Sequence, residues 1–206
     1  LDLVNSPHYT SHELTLAIET LKNGGVVALP TDTVYCLAAA LDHPKAISRI
    51  FDIKGRQTII ALPVLVSDAD QLRQVAETPP LAELLMQRFM PGGLTMILKR
   101  KGIVPDIVTG GRDTVAVRIP NHALTLHIIR ATGMPLTGTS ANLSGHGSVD
   151  NARDVLTQLG SKVDMILNGG RCPGGRESTI VDLTTPFPTI VRDGAVPRAD
   201  LEAYYI

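Results

Sequence analysis

Along its length the chain alternates short apolar runs, each closed by glycine, proline or a polar cluster, with stretches whose apolar residues recur at helical spacing. Strands and helices that interleave in this way bury their apolar faces by layering helices on a sheet, which is the α/β class. Thr10 to Glu13 has the T-x-x-E form of a capping box. Leu14, Ala17, Ile18 and Leu21 follow at helical spacing, and Gly24 stops the helix. Residues 26–29 read as a buried strand, and Pro44 opens a helix that Gly55 ends. Residues 58–66, 94–99, 114–119, 136–139, 163–167, 178–183 and 188–192 read as strands, and 68–76 and 81–89 as helices. Asn121 and Asp150 are candidate caps of two further helices. The expectation is a single α/β domain over residues 1–206 with a mixed β-sheet flanked by helices.

At 206 residues, 44% hydrophobic and 19% charged, the chain is not disordered and can bury a large core without staples. A formal net charge of −1 argues against gripping long nucleic acid by bulk charge, though it leaves a local basic site open. Aromatic content of 3%, with no Trp, argues against a base-stacking platform. Two cysteines make neither a disulfide scaffold nor a four-ligand zinc site. No apolar run reaches the roughly 18–20 residues of a membrane helix, and the first residues lack a signal-peptide pattern. A soluble cytoplasmic protein without membrane contact is expected.

Four polar segments punctuate the apolar strands, at residues 30–35, 54–56, 138–142 and 176–179. One at a time these are ordinary turn and cap residues; together they suggest a polar site at strand ends. Neither G-x-x-x-x-G-K-[ST] nor G-x-G-x-x-G occurs, so a nucleotide would be held by side chains and strand-end amides. Lys54 and Arg56 suit phosphate, or simply complement a helix C-terminus. Arg118 sits in the apolar strand V-A-V-R-I and needs a partner there, either a structural or a substrate carboxylate. Arg192 ends a strand in the same way. Asp32 reads as a turn residue rather than a metal ligand, and Cys36 as a small buried hydrophobe. The six histidines show no zinc spacing, and no Ser-His-Asp or Cys-His arrangement stands out.

The segments PTDTVYCLAAA, IFDIKGR, PGGLTMIL, DTVAVRIP, GTSANLSG, ESTIVDLT and IVRDG occur in an order and spacing that resemble the YrdC/TsaC family of threonylcarbamoyl-AMP synthases. The family signature, K-x-R followed far downstream by S-x-N, is present as Lys54, Arg56, Ser140 and Asn142. The resemblance implies a twisted, YrdC-like α/β fold with an open, positively lined concave face. It also implies synthesis of threonylcarbamoyl-adenylate and pyrophosphate from L-threonine, bicarbonate and ATP with Mg2+. The product would feed a threonylcarbamoyl-transferase machinery acting on tRNA, and direct RNA contact is part of the same expectation. Matched by motif, Arg56, Thr114, Ser140, Ser148 and Arg192 would bind ATP. Thr31, Thr33, Arg118, Gly138 and Ser178 would bind threonine, with Thr31 the weaker candidate. Lys54 and Arg56 would neutralise phosphate charge, and Arg118 would pair with the threonine α-carboxylate. The chain departs from the family where an ATP-contacting Asn is Ile60, a threonine-contacting His is Leu65 and a Gly is Cys36. Two other readings stay open on that account: a non-catalytic RNA- or nucleotide-binding module, and a paralogue acting on another acceptor.

Overall fold

A computed structural model describes residues 8–204. Helix α1 (Ser11–Lys22) opens on the expected capping box: Thr10 N donates to Glu13 Oε2 at 2.7 Å, and Glu13 N donates to Thr10 Oγ1 at 3.2 Å. Strands β1 (Val27–Leu29) and β2 (Cys36–Ala38) follow. Helix α2 (Pro44–Lys54) starts with its proline and ends at Gly55, whose φ of 61° is left-handed. Next come β3 (Val64–Leu65), α3 (Ala69–Val75), α4 (Pro80–Phe89), β4 (Leu94–Lys99), the single turn α5 (Asp106–Thr109) and β5 (Thr114–Arg118). Then follow α6 (Ala123–Thr132), β6 (Leu136–Thr137), β7 (Thr139–Ser140), α7 (Ala152–Leu159), β8 (Met165–Ile166), β9 (Thr179–Asp182), β10 (Thr189–Arg192) and α8 (Arg198–Glu202).

The strands form two mixed sheets rather than one, ordered β7-β2-β1-β8 and β10-β9-β4-β5-β3-β6. Residues 136–140 join them. Leu136 and Thr137 pair with β3, whereas Thr139 and Ser140 pair with β2, and Ala40 bridges back to Leu136. Gly138 is the crossing point, and a Cβ there would lie 2.3 Å from Leu65 Cγ, so only glycine fits.

Period-two alternation gives the small sheet two buried faces. Val27, Leu29, Cys36 and Ala38 pack with α1 and α6, while Ala28, Leu37 and Ala39 pack with Ile47, Ile50 and Phe51 of α2 in the larger core. One face of the larger sheet carries Val64, Leu94, Met96, Val115, Val117 and Val181 into that core. On the opposite face Leu65 and Leu136, at the β3–β6 end, join the smaller core, and the remainder is left for the site.

Most elements fall within a few residues of their expected places. The stretch 58–66 is the main exception: only Val64–Leu65 is strand. Ile59 and Ile60 are exposed in a turn, so branched side chains there reflect no sheet packing. The caps of α6 and α7 are His122 and Asn151, each one residue beyond the expected Asn121 and Asp150.

Candidate active site

A cleft of about 560 Å³ lies on the free face of the larger sheet, within the roughly 300–1,000 Å³ usual for small-molecule sites. The same alternation that builds the core aims its floor. Thr95 and Ile97 of β4, Ala116 and Arg118 of β5, and Ser178 and Ile180 at β9 all line it. On β10 a one-residue register shift lies between Ile190 and Arg192, which places Arg192 opposite Ile180. Without that bulge Arg192 would oppose Thr179 and face the core, so the extra residue is what delivers the guanidinium to the cleft. The opposite wall comes from the end of α2 and from residues 138–145.

The four cations singled out as candidate site residues therefore meet, whereas Arg176 of the last polar segment does not line the cleft. Lys54, Arg56, Arg118 and Arg192 line one cleft with Thr31, Thr33, Gly138, Ser140, Asn142 and Ser178. Ser148 stands at its edge, donating from Oγ to Glu177 Oε1 at 2.5 Å. Thr114 does not line the cleft; it shares a strand face with Ala116 and Arg118, one step further out.

The Lys54 ammonium donates to Ser140 O, to Asn142 O at 2.8 Å and to Asn142 Oδ1 at 3.1 Å. An ammonium has three N–H groups, so Lys54 ties the K-x-R and S-x-N segments into one unit. Burial, reinforced by the Arg56 charge and opposed by Glu177, pushes its pKa down to about 8. Arg56 donates Nη1 to Thr139 Oγ1 at 3.3 Å and otherwise faces the cleft.

Arg118 finds the structural carboxylate. Its Nη2 donates to Asp32 Oδ1 at 2.6 Å, Nη1 to Thr33 Oγ1 at 2.8 Å and Nε to Gly92 O at 2.8 Å. Two of its five N–H groups make no hydrogen bond among the described residues, and the side chain lines the cleft. Asp32 is thus not merely a turn residue, as the sequence suggested: it holds the buried guanidinium and also accepts from Asn121 N at 2.9 Å. The Arg192 guanidinium donates Nη1 to Glu177 Oε2, Nε to Ser178 O at 3.0 Å and Nη2 to Ser178 Oγ at 3.2 Å. Ser178 Oγ lies 2.7 Å from Thr95 Oγ1.

Thr95 and Glu177 were not singled out from the sequence. Thr95 carried the same signal as Arg118, a polar residue inside an apolar strand, and Glu177 lay within a flagged polar segment. Burial alone would raise the Glu177 carboxyl, but the Ser148 hydroxyl, the Arg192 charge, the Ser140 hydroxyl and Lys54 outweigh it and hold the group below the usual carboxylate range. Cys36 is fully buried, which lifts its thiol to about 12 and makes it the inert hydrophobe expected.

Among the described residues, no group of three or more His, Cys, Asp or Glu side chains is placed to hold a metal. Glu177 is the one carboxylate among the cleft-lining residues described. Magnesium is usually held by one or two carboxylates plus substrate phosphates, and a single carboxylate suits an ion shared with a ligand rather than one caged by protein groups alone. No helix among the described residues is long and apolar enough to cross a membrane.

A family model described as Sua5/YciO/YrdC, "Telomere recombination", matches residues 19–194. The threonylcarbamoyl-AMP synthase of Pyrococcus abyssi is 39% identical over 92% of this chain and 56% of its own length. That of Bacillus subtilis is 36% identical over 98% of this chain and 59% of its own. The chain thus spans somewhat over half of these relatives. A crystal structure of P. abyssi Sua5 complexed with L-threonine superposes with a TM-score of 0.90 at 38% identity, covering 93% of this chain and 56% of that one.

Proposed function

Because the chain belongs to the Sua5/YciO/YrdC family, we propose that it forms threonylcarbamoyl-adenylate and pyrophosphate from L-threonine, bicarbonate and ATP, to supply threonylcarbamoylation of tRNA. The carrying observation is the meeting of Lys54, Arg56, Arg118 and Arg192, from three separate stretches of sequence, in one cleft. The threonine amine and bicarbonate condense with loss of water to N-carboxythreonine. A carboxylate oxygen of that carbamate attacks the α-phosphorus of ATP, the bond to the β-phosphate oxygen breaks, and pyrophosphate leaves. Protein catalysis of such a transfer rests on positioning and charge stabilisation.

Arg56 and Arg192 hold phosphate oxygens with the hydroxyls of Ser140 and Ser148. Lys54 fixes the Ser140–Asn142 turn and adds its charge. At the other end, the two open N–H groups of Arg118 meet the threonine α-carboxylate. Thr33 and Ser178 orient the amino and hydroxyl ends, with Thr31 behind Thr33 (Oγ1 to Oγ1, 3.0 Å). Glu177 would hold a magnesium ion brought by the triphosphate, and that ion would supply neutralisation of phosphate charge. Carbamate formation asks of the protein a desolvated, oriented amine, and the buried Arg118 end provides that setting.

Pyrophosphate release tests the reading. It is expected to require threonine and bicarbonate together, and Arg56→Ala is expected to lower it by at least tenfold; release without threonine overturns the substrate assignment. Ile60 and Leu65 both line the cleft, and they favour the second reading, an acceptor other than threonine. Release stimulated more strongly by another amino acid supports that reading.

A further inference from the structure

The Glu177 carboxylate lies on the groups that the phosphate reading requires. Oε2 accepts from Arg192 Nη1, Oε1 accepts from Ser148 Oγ, and the Ser140 hydroxyl and the Lys54 charge reach it as well. Its main chain is anchored, since Ala195 N donates to Glu177 O at 2.9 Å. The anchored backbone keeps the carboxylate within reach of these partners. Any triphosphate held by Arg192, Ser148 and Ser140 must share them with a negative charge that is 31% exposed as a side chain.

A metal-free triphosphate meets that charge as a competitor, with like charges a few ångströms apart in a partly desolvated site. A magnesium-loaded one carries less charge, and its ion accepts a carboxylate oxygen together with phosphate oxygens. We propose that Glu177 is a specificity-determining residue that makes this cleft select the magnesium complex of the nucleotide over the free nucleotide. The inference rests on the ATP reading above and adds a selection rule to it.

The test is calorimetric titration of the chain with ATP in excess magnesium and with ATP in a chelator, for wild type, Glu177→Gln and Glu177→Asp. Wild type is expected to bind the magnesium complex at least tenfold more tightly. Glu177→Gln is expected to bring that ratio close to one by tightening metal-free binding, and Glu177→Asp to keep the preference. If Glu177 only props Arg192 and Ser148, the Gln variant weakens both forms by a common factor and the ratio stands, which overturns the inference alone. Wild type that binds neither form overturns the ATP reading and this inference with it.

Discussion

Asp32–Arg118 and Glu177–Arg192 are both carboxylate–guanidinium pairs of one cleft. The side chains of the first are 15% and 8% exposed; those of the second are 31% and 38%. Every nitrogen of Arg118 already serves the framework, through Asp32, Thr33 and Gly92. Arg192 reaches outward from a bulged edge strand, and its partner Glu177 also serves Ser148. The buried pair behaves as scaffold that happens to touch the ligand space. The wetter pair is an adjustable charge whose partners can be shared with a ligand.

Removing the acid from each pair should separate these roles. Asp32→Ala leaves a buried guanidinium uncompensated, and breaking such a pair costs about 3–5 kcal/mol. Denaturant unfolding is expected to show a loss of that size, and a loss under 1 kcal/mol would make the two pairs alike.

A pH series then sharpens the contrast. Lys54 stands at the wetter end with a pKa of about 8, against about 10.4 for an unfolded lysine. Between those values the unfolded chain binds more protons, so the contribution of Lys54 to folding stability rises with pH. ATP affinity moves the other way, falling as pH passes about 8 because Lys54 loses its charge and its grip on the Ser140–Asn142 turn. Calorimetry at pH 7 and 9.5 should show ATP binding weakened several-fold. Threonine binding at the Arg118 end should change less, and an equal loss of both would erase the distinction.

The smallest effect is expected for Glu177→Ala, whose half-exposed pair should contribute no more than about 1 kcal/mol to stability. Unfolding midpoints close to wild type check this, and a loss matching Asp32→Ala would place both pairs in the scaffold.

Much of this was readable before any coordinates. The capping box, Pro44 and Gly55 are local devices whose hydrogen bonds lie within a few residues, and the structure has them as expected. Arg118 in its apolar strand announced a partner. The choice of Asp32 was hidden, because β5 and the 30–35 segment meet only through the tertiary fold. The division into two sheets was hidden for the same reason, since residues 136–140 show no sign of serving two neighbours. Arg192 reaches the cleft through a bulge that V-R-D-G does not advertise. Glu177 looked like one charge among several because its meaning comes from Ser148, far along the chain, and from a cross-strand arginine.

Residues 136–140 act as a ruler. Thr137 N donates to Ala39 O and Gly138 N to Pro63 O, both at 2.8 Å, so the stretch is pinned on both flanks. Gly138 belongs to the amino-acid end of the proposed site and Ser140 to its phosphate end, two residues apart on one inextensible backbone. In the proposed reaction the spacing of the two reactants would thereby follow from peptide geometry, whichever side chains decorate the walls. A change of acceptor can be painted onto positions such as Ile60 and Leu65 while the gauge between acceptor and nucleotide stays constant.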